Sequence, residues 1–266
     1  MSINPHPACV VPPPETIICK YLSLDKFRDI FASEELYFRR LDKFKESDPR
    51  EALASENWVR HALRLNPLDV NDEIRLNNEQ AFARQNSEGY FISCWNIYDV
   101  ETLEMWKAYG NCTCIFSRIE LLQEQLTPIL DTIVWGAVRY TERDRTGYNL
   151  IDFAFTKTYP YEHERELRIL LQSYDPLYRT GRNLRIDNFA EREPIYGPNP
   201  WVPDCKRRRI NLKPVVTEVR ISPWLDEKTA DEIRHWIHVK NYTCPVIDSH
   251  LKGPLTPTLE EFHRLR

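Results

Sequence analysis

The stretch Glu164-Arg165-Glu166-Leu167-Arg168-Ile169-Leu170-Leu171-Gln172 (ERELRILLQ) decides how the rest of the chain is read. Side chains alternate faces along a strand, so Arg165, Leu167, Ile169 and Leu171 go to one side. Glu164, Glu166, Arg168 and Leu170 go to the other. One side is oily; the other carries two carboxylates and a guanidinium in register.

Working outward from that strand, short elements of both kinds recur. Upstream lie a strand IVWGAVRY (133–140) and a short helix at 149–157. Before them come strands CTCIFS (112–117) and YFISCW (90–95), and helices ETLEMWKAY (101–109) and RIELLQEQL. Ser117 and Glu120 have the spacing of a capping box for the latter helix. Further back, TIICKY (16–21) and LYF (36–38) read as strands, and Ser23 caps a helix on which Leu24, Phe27, Ile30 and Phe31 recur at helical spacing. Helices are expected over 52–65, stopped by Pro67, and over 71–88. Downstream, residues 173–205 form a long loop excursion rich in Pro, Asn, Asp and Tyr. RRINL and VVTEVRIS follow as strands, the second with Val215, Thr217, Val219 and Ile221 inward. A helix over 226–240 turns Ala230, Ile233 and Ile237 to the core, and CPVID (244–248) closes as a strand. Residues 1–15 carry five prolines and read as an extended arm. Strands and helices alternate without a βαβ rhythm. The pattern predicts one α+β domain, short mixed or antiparallel strands with helices packed around them.

Composition narrows the function. The 266 residues include only seven glycines, at 89, 110, 136, 147, 181, 197 and 253, and no two lie closer than eleven residues. A Rossmann G-x-G-x-x-G, a Walker A loop and a G-x-S-x-G elbow are thereby excluded. Any nucleotide held here must be held by side chains. The formal charge of −4 argues against a general nucleic-acid or membrane-surface binder. No apolar run approaches the ~18 residues of a membrane helix, and the N-terminus lacks the basic start and apolar stretch of a signal peptide. Seven cysteines form no C-x-x-C and no recognisable metal-ligand spacing, so reduced thiols in a cytoplasmic protein, with no metal, are the plain reading.

Several groups could carry chemistry, and each has a purely structural counterpart. Glu164, Glu166 and Arg168 either line a cleft, orienting hydroxyls or stabilising positive charge, or sit as salt bridges on a solvated strand face. Met105, Trp106 and Tyr109 make an aromatic helix face, which is core or a stacking wall for a base or nicotinamide. Ser93 is a small core residue or a ligand contact. Lys206 to Arg209 is a phosphate-contacting patch or a solvated charge run. His163 is an acid or base beside the strand, or structural; His235 and His238 read as surface residues.

The run Lys157-x-x-x-Tyr161-x-x-Glu164-x-Glu166-x-Arg168 resembles the signature of the bacterial family classed as domain of unknown function 2971. Lys20-Tyr21 with Ser23 and Leu24, Phe44 with Asp48-Pro49-x-Glu51, Ser93-Cys94, Met105-Trp106-x-x-Tyr109 and the closing VTEVRISP stretch match it in order, from about residue 19 to 250. Leu22 stands where the family usually has an arginine, and Lys45-Glu46-Ser47 intervene before Asp48.

More remotely, the chain is similar to ADP-ribosyltransferases. These are built from a first strand bearing Arg or His, a middle strand with a Ser motif and a late strand with E-x-E. Here Lys20-Tyr21, Ser93 and Glu164-x-Glu166 come in that order, although no Arg or His marks the first strand and Arg168 is an added cation. The resemblance implies a split sheet and NAD bound without a glycine loop, along Lys20, Tyr21, Ser93, Trp106, Tyr109, Lys157 and Arg168. Glu166 would hold the nicotinamide-ribose 2′-hydroxyl and Glu164 would orient the nucleophile. Ser93 would brace the catalytic strand, and Tyr21 or Tyr109 would stack on nicotinamide. It implies a transferase or NADase, a toxin or anti-phage effector, with a protein or nucleic-acid acceptor. Two alternatives stand beside it. One is a Mg²⁺-dependent nuclease using Glu164, Glu166 and Asp48 or Glu51, with Lys157 or Arg168 on the phosphate. The other is a non-catalytic module whose aromatic groove binds a nucleotide or peptide.

Overall fold

The computed structural model describes residues 9–46, 56–109, 112–126, 132–141, 150–172, 203–253 and 256–264. In chain order the elements are β1 (Ile17–Leu22), α1 (Leu24–Ser33), β2 (Glu35–Arg40), a 3-10 helix (Leu41–Glu46), α2 (Glu56–Leu63), α3 (Val70–Ser87), β3 (Tyr90–Ile97) and α4 (Leu103–Tyr109). Then come β4 (Thr113–Arg118), α5 (Ile119–Gln125), β5 (Thr132–Ala137), β6 (Arg139–Tyr140), α6 (Leu150–Ala154), β7 (Thr156–Lys157), a 3-10 helix (Tyr159–Glu164) and β8 (Glu166–Gln172). The last are β9 (Cys205–Arg209), α7 (Leu212–Val215), β10 (Glu218–Ile221), α8 (Glu227–Val239), β11 (Val246–Asp248) and α9 (Leu259–Arg264). This is the expected mixed architecture of strands with helices around them. Among the described residues, no helix is long and apolar enough to cross a membrane.

The chain groups into two compact units. The first contains residues up to 11, 37–94 and 128–207. In it β5 pairs antiparallel with β8, with Trp135 opposite Ile169 and Gly136 opposite Arg168. β8 also lies beside β3, and β2 pairs antiparallel with β3. One core cluster joins Leu41, Ile92, Val134, Ala154, Phe155 and Leu170, with Cys9 packed against it. A second joins Val59, Leu65, Leu76 and Phe153. The arm enters this unit at Val10, which bridges to Ala137; the Ala137 N–H donates to the Val10 carbonyl at 2.7 Å. Gly136 makes that approach possible. A Cβ there would stand 2.8 Å from Cys9 Cβ and 3.0 Å from the Val10 carbonyl oxygen.

The second unit contains residues 12–36, 95–127 and 208–266. β1 pairs antiparallel with β4 and with the last residues of β3; β4 pairs antiparallel with β10, and β10 runs parallel to β11. Phe27 and Phe31 on α1 pack against Trp236 on α8, and Phe31 meets Tyr242 edge-on at 4.8 Å. Ala230, Ile233 and Ile237 are buried, as the spacing predicts.

Several local expectations are corrected. The decisive strand begins at Glu166: Glu164 closes the preceding 3-10 turn, and Arg165 takes φ 43, so the alternation is broken there. Its charged side is not solvated, since Glu166 and Arg168 are as buried as Leu167 and Ile169. Ser117 does not cap α5; its N-cap is Arg118 without a side-chain bond, and the Ser117 hydroxyl turns to the Arg118 carbonyl. The strand expected over 133–140 is interrupted at Val138, and the 149–157 helix stops at Ala154 to release β7. Val215 belongs to the turn α7, not to a strand, and Arg220 is buried between Val219 and Ile221. Most of the 173–205 excursion, the first eight residues, and Asp48 and Glu51 lie outside the described residues.

Candidate functional site

The two-residue strands β6 and β7 run parallel, and Tyr140 sits opposite Lys157. Lys157 then enters a turn in which Pro160 restricts the backbone and Arg165, at its end, donates its N–H to the Glu162 carbonyl. A positive φ at a non-glycine residue is costly, and here it turns the chain between two glutamates that both meet Lys157. The Lys157 ammonium is 2.6 Å from Glu164 Oε2 and 3.0 Å from Glu166 Oε2. The Tyr161 ring lies 5.1 Å from the same nitrogen.

Arg168 completes the cluster from β8. Its Nε donates to Glu166 Oε1 and its Nη2 to Glu166 Oε2, both at 2.9 Å, and its Nη1 donates to the Ala154 carbonyl at 2.5 Å. The Cys94 thiol on β3 donates to the same carboxylate. A carboxylate offers about four acceptor positions, and those of Glu166 are met by Arg168 twice, by Lys157 and by Cys94. Burial pushes the Glu166 carboxyl up, but the Arg168 and Lys157 charges and their hydrogen bonds outweigh it and hold it down at about 2. Glu166 is 2% exposed and Glu164 8%. The outer edge of the cluster is therefore Lys157 and Glu164, with Tyr140 and Tyr161 beside them.

Two carboxylates and two cations make the cluster neutral in its own charges. That composition does not suit a divalent cation, because Glu166 already faces ammonium and guanidinium donors. Among the described residues no group of three His, Cys, Asp or Glu side chains could hold a metal ion. The role expected for Glu166, holding a ribose hydroxyl, finds no acceptor position. Ser93, expected to brace the catalytic strand, lies on β3 beside β8. Side chains 93 and 94 leave β3 on opposite faces, and Ser93 Oγ is buried without a hydrogen-bond partner among the described residues.

The aromatic residues belong to the second unit, so the expected set divides between the two. Trp106 is 0% exposed, meets Tyr21 edge-on at 4.9 Å and donates its indole N–H to Glu101 Oε1 at 2.8 Å. It is core, with no face left for a ligand ring, and Tyr21 is buried with it among Cys19, Cys114 and Phe116. Tyr109 is half-buried at the margin of that cluster. Lys20 lies 5.5 Å from the Trp95 ring. Lys206 to Arg209 alternate between half-buried and exposed along β9, with Lys206 over Phe91 at 5.2 Å. His163, His235 and His238 are exposed.

A second buried ion pair escaped sequence reasoning. Arg220 Nη1 donates to Tyr98 Oη at 2.9 Å and to Glu101 Oε2 at 3.3 Å, while its guanidinium lies 4.3 Å from the Phe116 ring. The His250 N–H also donates to Glu101, at 3.1 Å. The spacing Glu218-x-Arg220, the same as Glu166-x-Arg168, was the available signal. Cys94 and Tyr140 had none, since only the fold brings them to Glu166. No family model, curated protein or solved structure matches this chain.

Proposed function

We propose that this chain is an enzyme that cleaves the N-glycosidic bond between nicotinamide and ribose in NAD. The ADP-ribose passes to water or to an acceptor on a protein or nucleic acid. The observation that carries this reading is the convergence of both carboxylates of an E-x-E segment on Lys157, the second of them on β8, which lies beside the strand that bears Ser93. Breaking that bond develops positive charge on the ribose carbon, and a fixed carboxylate at that carbon lowers the barrier. Glu166 stays ionised at neutral pH, and its contacts with Arg168 and Lys157 make it the anchor of the site. Glu164, at the rim and sharing Lys157, is the carboxylate that meets the sugar. Such an activity suits a toxin or anti-phage effector working in the cytoplasm.

Incubation with NAD, with nicotinamide followed by chromatography, tests this. The wild type is expected to release nicotinamide, and Glu164→Gln to do so at least ~100-fold more slowly while remaining folded. NAD binding in a calorimeter without release supports the binding module instead. Mg²⁺-dependent cleavage of nucleic acid, lost in Glu164→Ala, supports the nuclease. Absence of both NAD binding and nicotinamide release overturns the NAD reading.

A further inference from the structure

We propose that Tyr140 is a substrate-positioning residue of this site, donating its phenolic hydrogen bond to a ribose hydroxyl. The inference rests on the NAD reading above and names a contact that reading does not contain. The Glu166 backbone N–H donates to Tyr140 Oη at 2.8 Å. That bond occupies an acceptor position of the phenol and leaves its proton available for a different partner. The pairing of β6 with β7 sets Tyr140 opposite Lys157, and Glu164, Glu166 and Lys157 all act on the phenol's ionisation. Burial is the largest influence on it and raises the phenol above its ordinary range, so the proton is retained at physiological pH.

The rim of the cluster thus combines a neutral O–H donor, an ammonium donor and a carboxylate acceptor. A sugar hydroxyl both donates and accepts, and two adjacent hydroxyls can use all three groups: one proton to Glu164, and lone pairs to Tyr140 and Lys157. A vicinal diol, as on ribose, is the chemical class that this arrangement fits. Lys157 is already held by two carboxylates, whereas the Tyr140 proton belongs to no internal ion pair, and Tyr140 Oη is the rim hydroxyl fixed by a β8 backbone N–H.

The test compares Tyr140→Phe with the wild type on NAD and on an NAD analogue lacking the 2′-hydroxyl of the nicotinamide ribose, with nicotinamide release as readout. Loss of one hydrogen bond should lower kcat/KM for NAD about tenfold, and leave kcat/KM for the deoxy analogue within about twofold. A merely structural role would lower both substrates equally, and that outcome overturns the inference while the NAD reading stands. Equal activity of variant and wild type on both substrates also overturns it. If the wild type releases no nicotinamide, both fall together. Should Tyr140→Phe fail to fold, Tyr140→Met, whose thioether can accept the Glu166 N–H but donates nothing, is measured the same way, and the same outcomes decide.

Discussion

Two Glu-x-Arg segments, one in each unit, start from the same local pattern and end in different chemistry. Glu166-x-Arg168 on β8 and Glu218-x-Arg220 on β10 both place an arginine Nε against the carboxylate two residues earlier on the strand. In the second unit, Arg220 reaches past Glu218 to Glu101 and is enclosed by the Tyr98 and Phe116 rings. Glu101 is in turn bonded by Trp106 and His250, so each charge answers to a structural group. In the first unit, the cluster runs outward from Arg168 through Glu166 and Lys157 to Glu164, and ends at a rim with two tyrosines. Both networks reach the surface, the second at Glu218 and the first at Lys157 and Glu164, where an ammonium and a carboxylate stand beside two tyrosines.

Breaking the inner pair should have the largest effect. Arg168→Met removes both guanidinium bonds to buried Glu166, leaving it Lys157 and the Cys94 thiol, and is expected to lose about 3–5 kcal/mol in urea denaturation. Arg220→Met should cost less, about 2–3 kcal/mol, because Glu218 is partly open to water and Glu101 keeps the Trp106 and His250 donors. A smaller loss for Arg168 than for Arg220 would reverse the ranking of the two clusters.

The pH response sharpens the same contrast. The Glu166 carboxyl is lowered from 4.5 to about 2 by its cationic neighbours, so the folded state holds the proton less tightly than the unfolded chain. Its contribution is therefore fully present above about pH 4.5 and is lost as pH falls towards about 2. Glu166→Gln should flatten the acid limb of the stability profile; an unchanged limb would show that Glu166 does not set it. Gly136→Ala drives a Cβ into Cys9 and the Val10 carbonyl, and should cost about 1–3 kcal/mol. Faster hydrogen exchange at the Ala137 amide would locate that cost in the arm contact. At the small end, His235→Ala and His238→Ala on the exposed side of α8 should change stability by less than about 0.5 kcal/mol.

Much of the fold was legible because periodicity reports burial. Phe27, Ile30 and Phe31 on α1, and Ala230, Ile233 and Ile237 on α8, are buried as spaced. Periodicity failed where the backbone departs from a regular element. The positive φ of Arg165 ends the β8 pattern one residue after Glu164, and no property of an arginine announces it. The site was legible as a constellation, since Lys157, Glu164, Glu166 and Arg168 do meet, but not in its burial. A glutamate alternating with leucine looks solvated unless its cations are known to face it, and Lys157 faces Glu166 only through a turn. Trp106 was ambiguous for the opposite reason: Glu101, the partner that pins it in the core, lies five residues away on a loop.

The claim on which the functional account depends is that Glu164, not Glu166, meets the substrate. Nicotinamide release from NAD at pH 7 by wild type and Glu164→Gln, at equal concentrations of folded protein, tests it most directly. The account predicts release by the wild type and a loss of at least ~100-fold in the variant, with a melting temperature within about 2 °C of the wild type. Equal release by the two proteins, or no release by either, would contradict it.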